Sequence, residues 1–485
     1  GKKNLTKIVN NAYLLSGNFK TVKFLDELKD LGFGMATKSG ISIAMSDAHS
    51  IMLVSVVGMG YVGIPVAVRL AQSGADVIGI DIDEDKIKKI NHGIYPIDGE
   101  EPEIRELLAQ FVDSGNLRAT SDYSDASESD AWLICVQTPF IVEDFEPNLS
   151  ALKGALSCIG EVMKRGALVV VESTIPPGTM EEVALPILES SSGLNSGSEF
   201  FLGHCPERVM PGKLLHNLTN YDRALGGLDA RSHEMMVSVY RRISEGKLNL
   251  VDLKTAEVVK TFENTYRDAE IAIANDFALY CDAVDVDFFE VRELVNVVES
   301  RNLHLPGGGV GGHCIPKDTW LLAYGSRDSY TPEFLIKARE VNDAMPTHVA
   351  NKALEAATRL NLSFQDCKVA ILGLSYLEES DDVRNSPSET LFEALTEAGL
   401  TVSVHDHFVK EHPSIPFSDN LDETISGSDI LIVMVAHDLY KSMDLDDAKE
   451  LMAGNYIIDA RNVFGLSALK ESGFEYYSLG RGSSI

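Results

Sequence analysis

Met52-Leu-Val-Ser-Val-Val57 followed at once by Gly58-Met-Gly60-Tyr-Val-Gly63 decides the fold of this chain. A short, nearly continuous apolar run is the signature of a parallel strand buried on both faces. The glycines turn the chain and open it to a ligand, and Ile64 to Gln72 continues as a helix with Pro65 in its first turn. A second strand, Asp76-Val-Ile-Gly-Ile80, ends at Asp81. A G-x-G-x-x-G between strand and helix, with an acid about twenty residues on, is the setting in which the motif binds a dinucleotide. Gly58, Gly60, Tyr61, Val62 and Gly63 would bring a pyrophosphate to the helix N-terminus. Asp81 would hold both ribose hydroxyls and disfavour a 2′-phosphate, so NAD is expected rather than NADP.

Working outward, apolar runs at Ala131–Val136, Ala167–Val171 and Phe200–Gly203 read as further strands. Ligands bind beyond the carboxyl ends of such strands, which places Thr138 and Thr174 toward the cofactor and Glu207 and Arg208 at the next strand end. From Thr255 toward Ala283 the pattern is helical, and Lys260 and Asn264 share one face, where they can stabilise a developing oxyanion. A second helical stretch runs from Pro332 to Leu360. Four more apolar runs, opening at Lys368, Thr401, Ile430 and Tyr456, are spaced like a second parallel sheet without a full glycine fingerprint. Arg384 and Arg461 lie in its loops, and guanidinium forks suit phosphate oxygens.

Between the two helical stretches stands Gly307-Gly-Gly-Val-Gly-Gly-His313-Cys314-Ile-Pro-Lys317-Asp318. A helix beginning near Cys314 would favour a thiolate there, and Asp318 would share its face. A thiol beside a carboxylate suits covalent work on a carbonyl; a glycine turn with a buried structural cysteine is the plainer reading.

At 485 residues the chain has room for several cores, and its 45% hydrophobic and 24% charged content is that of a globular protein. A net charge of −31 sets aside general electrostatic binding of nucleic acid or acidic membrane. The six cysteines show neither paired nor metal-ligand spacing, so no metal is expected and a reducing cytoplasm is. No apolar run approaches a membrane span.

The ordered motifs GMGYVG (58–63), CVQTP (135–139), ESTIPPGT (172–179), CPERVMPG (205–212), Lys260 with Asn264, GVGGHCIPKD (309–318) and VAILGLSY (369–376) resemble the UDP-glucose/UDP-N-acetylhexosamine 6-dehydrogenase family over about residues 51–485. The resemblance implies an α/β protein with two Rossmann-like parallel-sheet domains joined by a long helical dimerisation region. Its parts would be an NAD-binding domain at 51–245, a central region with the cysteine loop at 246–365, and a UDP-sugar domain at 366–485. It implies a cytoplasmic homodimer or higher homo-oligomer making surface-polysaccharide precursors by oxidising the C6 alcohol of a UDP-sugar twice with NAD. Cys314 would be the nucleophile, Asp318 would activate water, Lys260 would stabilise oxyanions, and Asn264 and Glu207 would support water and substrate. Arg208, Gly309, Gly311, His313, Lys317, Arg384 and Arg461 would contact the sugar nucleotide. Cys205-Pro-Glu-Arg208 and Gly309-Val310-Gly-Gly-His313-Cys314 resemble the N-acetylhexosamine branch, of N-acetylmannosamine type, rather than the glucose branch. There are departures: the family's common Ala-Tyr-Lys reads Ser375-Tyr376-Leu377, and its Asp-Pro reads Asp406-His407.

Residues 1–50 stand apart. Thr21 to Phe33 and Ala36 to Asp47 resemble a short segment of the largest catalytic subunit of bacterial RNA polymerase, without that enzyme's acidic metal motif. The segment reads as extraneous or appended. The alternatives for the remainder are a UDP-glucose 6-dehydrogenase, a two-electron dehydrogenase of the 3-hydroxyacid type, which has no need of Cys314, and a sugar-nucleotide sensor.

Overall fold

The computed structural model describes residues 52–97, 103–208 and 213–482. The expectations placed on residues 1–50, and on Val209 to Gly212 of the CPERVMPG stretch, lie outside the described residues.

The first sheet is built from β1 (Leu53–Val57), β2 (Asp76–Ile80), β3 (Leu117–Thr120), β4 (Ala131–Ile134), β7 (Leu168–Val171), β8 (Phe201–His204), β9 (Arg223–Gly227) and β10 (Leu248–Val251), while β5 (Phe140–Ile141) and β6 (Glu146–Pro147) form a separate hairpin. The eight strands lie in the order β10-β9-β8-β7-β4-β1-β2-β3. Val54 of β1 pairs with Val77 on one side and Ala131 on the other, so the strand leading into the glycine loop is an interior strand of the sheet. The order reverses between β1 and β4, which opens a crevice beyond their carboxyl ends. The expectation of a purely parallel sheet fails at one joint: β8 and β9 are antiparallel, so this sheet is mixed. Its β9 had no apolar run to announce it, because Gly226 must admit helical backbone; a side chain there would stand 3.0 Å from the Asp252 carbonyl.

The second sheet is parallel throughout. It contains β11 (Lys368–Leu372), β12 (Thr401–His405), β13 (Ile430–Val433), β14 (Tyr456–Asp459) and β15 (Glu475–Ser478), in the order β12-β11-β13-β14-β15. Its strand order reverses between β11 and β13.

Four helices position the site: α1 (Gly63–Gln72), α2 (Leu253–Val284), α3 (Ile315–Gly325) and α4 (Glu333–Arg359). Asp252 starts α2 by accepting the Thr255 amide at 2.9 Å, and the left-handed Asp285 ends it. Five residues into α2, Glu257 accepts the amides of Gly178 and Met180 at 2.6 and 2.7 Å, which ties the loop after β7 to the helix. Small residues, Ala269 and Ala272 of α2 and Ala338 of α4, let the two helices approach closely.

Between them runs a buried polar relay. Arg339 donates to Asp268 at 2.6 Å, Asn342 donates to the same carboxylate at 2.7 Å, and Asn275 donates to Asn342 at 2.8 Å. The free oxygen of the Asn275 amide accepts the Gly307 amide at 2.9 Å, and there the cysteine loop begins. Arg339 and Asn342 are fully buried and Asp268 is nearly so. Removing one partner of such a pair costs about 3–5 kcal/mol, because the other is left charged and uncompensated.

Candidate functional site

The cofactor half forms around the end of β1. Gly58 has φ +92°, and a side chain on it would meet the Cys135 carbonyl at 2.7 Å, so the turn closes over β4 only with glycine there. Gly60 has open space where its side chain would be. The N-terminus of α1, capped by Val62, carries no side-chain cap and no acidic residue in its first turn, so its amides and dipole face an incoming anion unopposed. Asp81 is nearly buried and accepts the Met59 amide at 2.8 Å, the Asp83 amide at 3.0 Å and the Lys86 ammonium at 3.0 Å. These groups fit an NAD adenosine and diphosphate. Lys86 and Ile82, which is 94% exposed beside Asp81, were not anticipated from the sequence; the only signal was their position just after the acid.

Two expected cofactor contacts look different in place. Thr138 is buried and donates its hydroxyl to the Thr174 carbonyl at 2.6 Å, so it fastens the loop after β4 to the loop after β7. Thr174 itself is half-buried. Tyr61 meets the second sheet's domain: the Arg384 guanidinium lies 5.3 Å from its ring centroid. That places Arg384 against the glycine loop, at the seam between the two sheets.

The reactive half forms where α3 begins. Cys314 is its N-cap residue and is exposed. The amides of Lys317 and Asp318 donate to the Cys314 carbonyl at 3.2 and 3.0 Å. Asp318 is fully buried; its Oδ2 accepts from Asn264 at 2.5 Å. Its Oδ1 makes no hydrogen bond among the described residues, with the Lys317 ammonium 3.3 Å away. A buried carboxylate oxygen of this kind is suited to a water or a sugar hydroxyl. Lys260, one turn before Asn264 on α2, is half-buried, and its charge reaches the thiol.

The expectation of a ready thiolate does not hold. Although Cys314 is open to solvent on one side, desolvation by the protein packed around it and the Asp318 carboxylate push its thiol up, and Lys317, Lys260 and Arg384 only partly offset them. The helix N-terminus alone does not outweigh a carboxylate one turn away. His313 is driven down to about 4 by burial and then by Lys317 and Arg384, so it is a neutral imidazole at neutral pH.

The glycines of the loop face protein rather than open space. Gly309 has φ +134° and would clash with Pro387 at 2.8 Å and Pro346 at 3.1 Å, and Gly311 lies against Tyr376 and the Asn385 carbonyl. The Gly312 amide donates to the Arg384 carbonyl at 2.9 Å. The loop is therefore moulded on the second sheet's domain. Arg461 stands at its start, against Gly307, and donates to Glu378 at 2.9 Å. Leu377, in the position where a lysine was looked for, is 46% exposed.

Glu207 and Arg208 belong to another layer. Glu207 is buried and ion-paired with Arg223 at 3.1 Å, and accepts the Arg208 amide at 2.6 Å. The Arg208 guanidinium forms a fork with Glu263 of α2 at 2.9 and 3.0 Å. The structure thus assembles Cys314, Asp318, Asn264, Lys260, Lys317 and His313, and commits Arg208 to a helix contact.

Family models match three successive parts of the chain. They are the NAD binding domain of the UDP-glucose/GDP-mannose dehydrogenase family at 52–244, its central domain at 254–344 and its UDP binding domain at 370–465. A UDP-N-acetyl-D-mannosamine dehydrogenase of Pyrococcus horikoshii is 38% identical over 89% of this chain and 100% of its own length. The solved structure of that organism's UDP-D-ManNAc dehydrogenase gives a TM-score of 0.83 at 37% identity, covering 89% of this chain and 99% of that one. An NDP-N-acetyl-D-galactosaminuronic acid dehydrogenase of Methanosarcina mazei gives 0.81 at 39% identity, over 91% and 98%. A UDP-glucose dehydrogenase of Pyrobaculum islandicum gives 0.77 at 26% identity, over 89% and 98%.

The geometry around Cys314 has a direct test in alkylation by iodoacetamide. The Asp318 carboxylate raises the thiol's pKa, so Asp318→Asn lowers it and enlarges the thiolate fraction. At about pH 8 the variant should therefore react severalfold faster than wild type. An equal or slower rate would mean that the carboxylate does not act on the thiol.

Proposed function

Because the chain belongs to the UDP-glucose/GDP-mannose dehydrogenase family, we propose that it oxidises the C6 alcohol of a UDP-N-acetylhexosamine to the acid with two NAD. The observation that carries this reading is the cluster of an exposed thiol, a buried carboxylate with one unbonded oxygen, an amide and a lysine at the foot of a dinucleotide crevice. Gly58, Gly60, Tyr61, Val62, Gly63 and Asp81, with Thr138 and Thr174 behind them, would hold the cofactor, which when bound supplies the acceptor for both hydrides.

The chain's own groups do the rest. Asp318 takes the proton of the C6 hydroxyl through water as the alcohol becomes an aldehyde. Cys314 then adds to the carbonyl carbon: a C–S bond forms and the oxygen becomes a hydroxyl, giving a thiohemiacetal. Loss of a second hydride and of the hydroxyl proton leaves a thioester. Water positioned by Asp318 and Asn264 attacks it, the C–S bond breaks and the thiol is restored. Lys260 stabilises the oxygen each time it carries negative charge. A thiohemiacetal keeps the carbon in place between the two oxidations, which an unanchored aldehyde hydrate would not. Glu207, fixed by Arg223, supports the cleft wall, while Arg384, Arg461 and Lys317 serve ligand phosphates and His313, Gly309 and Gly311 the sugar side.

The N-acetylated sugar is favoured by the relatives and by two residues of the loop. Val310 is small beside the nucleophile, and His313, neutral at neutral pH, keeps a donor for the acetamido carbonyl or a nearby hydroxyl. Arg208, held by Glu263, is a weaker candidate for that contact.

The protein is proposed to be a cytoplasmic homodimer. Its six cysteines are all free, and among the described residues no helix is long and apolar enough to cross a membrane. Phe262, Tyr266, Ile273, Phe277 and Tyr280 form an exposed stripe along α2, beside a groove of about 910 Å³ that Phe334 also lines. Such a stripe can pack against its own copy about a two-fold axis, the arrangement a dimer of identical chains uses.

Three measurements check these statements. NADH formed from a panel of UDP-hexoses and UDP-N-acetylhexosamines should reach two per sugar, with the highest kcat/KM on an N-acetylated sugar. A clear preference for UDP-glucose would sink the sugar assignment, and one NADH per sugar the four-electron chemistry. Cys314→Ser should nearly abolish acid formation with NAD binding unchanged, and a wild-type rate would overturn the covalent route. Light scattering should give twice the chain mass, falling to the monomer in Phe277→Glu/Tyr280→Glu; a wild-type monomer would remove the dimer.

A further inference from the structure

A closed layer of ionisable side chains lies under the carboxyl ends of β4, β7 and β8. Cys135 follows β4, Glu172 follows β7, Cys205 and Glu207 follow β8, Arg223 opens β9, and Tyr240 ends the helix Ala230–Tyr240. Glu172 is 1% exposed. One of its oxygens accepts from the Tyr240 hydroxyl at 2.6 Å and the other from the Cys135 thiol at 3.4 Å. Arg223 donates to Glu207 at 3.1 Å, to the Leu218 carbonyl at 3.2 Å and to the Cys205 sulfur at 3.8 Å, and lies 5.4 Å from the Tyr240 ring centroid.

One guanidinium therefore lies between two carboxyl groups where water is excluded, bonded to Glu207 and acting on Glu172 only through its charge. A low dielectric favours one anion beside the cation and penalises a second. The anion falls to Glu207, which has the guanidinium and the Arg208 amide, whereas Glu172 meets only neutral donors. Burial and the Glu207 charge raise the Glu172 carboxyl to about 7, against Arg223, Tyr240 and Cys135, which favour its anion. The other weak acids facing it are Cys135 from β4, Cys205 from β8 and Tyr240 from the helix; burial pushes all three up, so they stay protonated.

The layer is joined to the cleft. The Glu207 amide donates to the Glu172 carbonyl at 3.3 Å, and Arg208, next in the chain, bridges to Glu263, the neighbour of Asn264 on α2. We propose that Glu172 is a positioning residue that keeps the Glu207–Arg208 wall of the substrate cleft in place, and that it does so only while protonated. Once ionised, it competes with Glu207 for Arg223, and the wall loosens. The inference rests on the reading of this cleft as a UDP-sugar site.

The test is the KM for the best UDP-sugar between about pH 6 and 9 in wild type, Glu172→Gln and Tyr240→Phe. In wild type KM should rise severalfold as pH passes the Glu172 pKa. Glu172→Gln, which keeps the shape and cannot ionise, should match wild type at the acid end and stay flat. Tyr240→Phe removes a hydrogen bond to the anion, so its rise should move to higher pH. Parallel profiles for wild type and Glu172→Gln would overturn the proposal. Should the Gln variant not fold, an unshifted Tyr240→Phe profile would do the same. A wild type that oxidises no UDP-sugar at any pH would instead overturn the reading of the cleft, and the inference with it.

Discussion

The Asp268 carboxylate, buried between α2 and α4 and held by Arg339 and Asn342, is the constraint on which the reactive loop depends. A charge closed off from water must be bonded on all sides, and these bonds fix the rotation of both helices. From that fixed pair the relay continues through Asn275 to the Gly307 amide. The loop's other end is set by the same helix, since Asn264 of α2 holds Asp318 of α3. Glu257, lower on α2, holds the loop after β7. One helix thus places the loop after β7, Asp318 and the loop that carries Cys314 in a common frame.

Cations around the cleft are paired with acids. Arg208 holds Glu263, Arg223 holds Glu207, Lys317 stands by Asp318, Arg384 holds Asp382 and Arg461 holds Glu378. In a chain of net charge −31 acids outnumber bases, and each of these four guanidinium groups has a local carboxylate. Arg384 and Arg461 are partly exposed, so under the proposed reading a diphosphate could displace Asp382 and Glu378 from them at little cost. The buried Arg223–Glu207 pair has no such freedom, which suits a wall better than a ligand site.

The two sheets use one device to different ends. In each, an acid at the end of the second strand accepts amides from the loop after the first: Asp81 from Met59, and Asp406 from Leu374 and Ser375. Asp406 also accepts the Phe408 and Val409 amides and faces His437, which leaves it fully engaged. That carboxylate is structural, whereas Asp81 stands beside an open glycine and an uncapped helix end. The second sheet keeps the architecture of a dinucleotide site without its ligand chemistry.

Local patterns were legible without coordinates because their physics is local. The buried strands β1, β4, β7, β11 and β13 are nearly continuous apolar runs, the glycine loop needs its positive φ whatever surrounds it, and Cys314 to Asp318 is a single helical turn. Hence the α/β class, the dinucleotide fingerprint and the two local pairs, Lys260 with Asn264 and Cys314 with Asp318, could be read directly; that the pairs belong together was implied only by the family resemblance, because Asn264 and Asp318 meet across 54 residues of chain. The strands β3, β9, β10 and β15 could not, since they are edge strands or carry glycines and charge, and are held by their neighbours rather than by their own pattern. The same limit applies to side-chain partners. That Arg208 is bound to Glu263, that Thr138 ties two loops, that Arg384 reaches Tyr61 and that the Cys314 thiol is raised rather than lowered all depend on groups far apart in the chain. The sequence by itself determined which residues could do the chemistry; only the tertiary structure decided their partners and charge states, because burial and Coulomb interactions depend on distance in space.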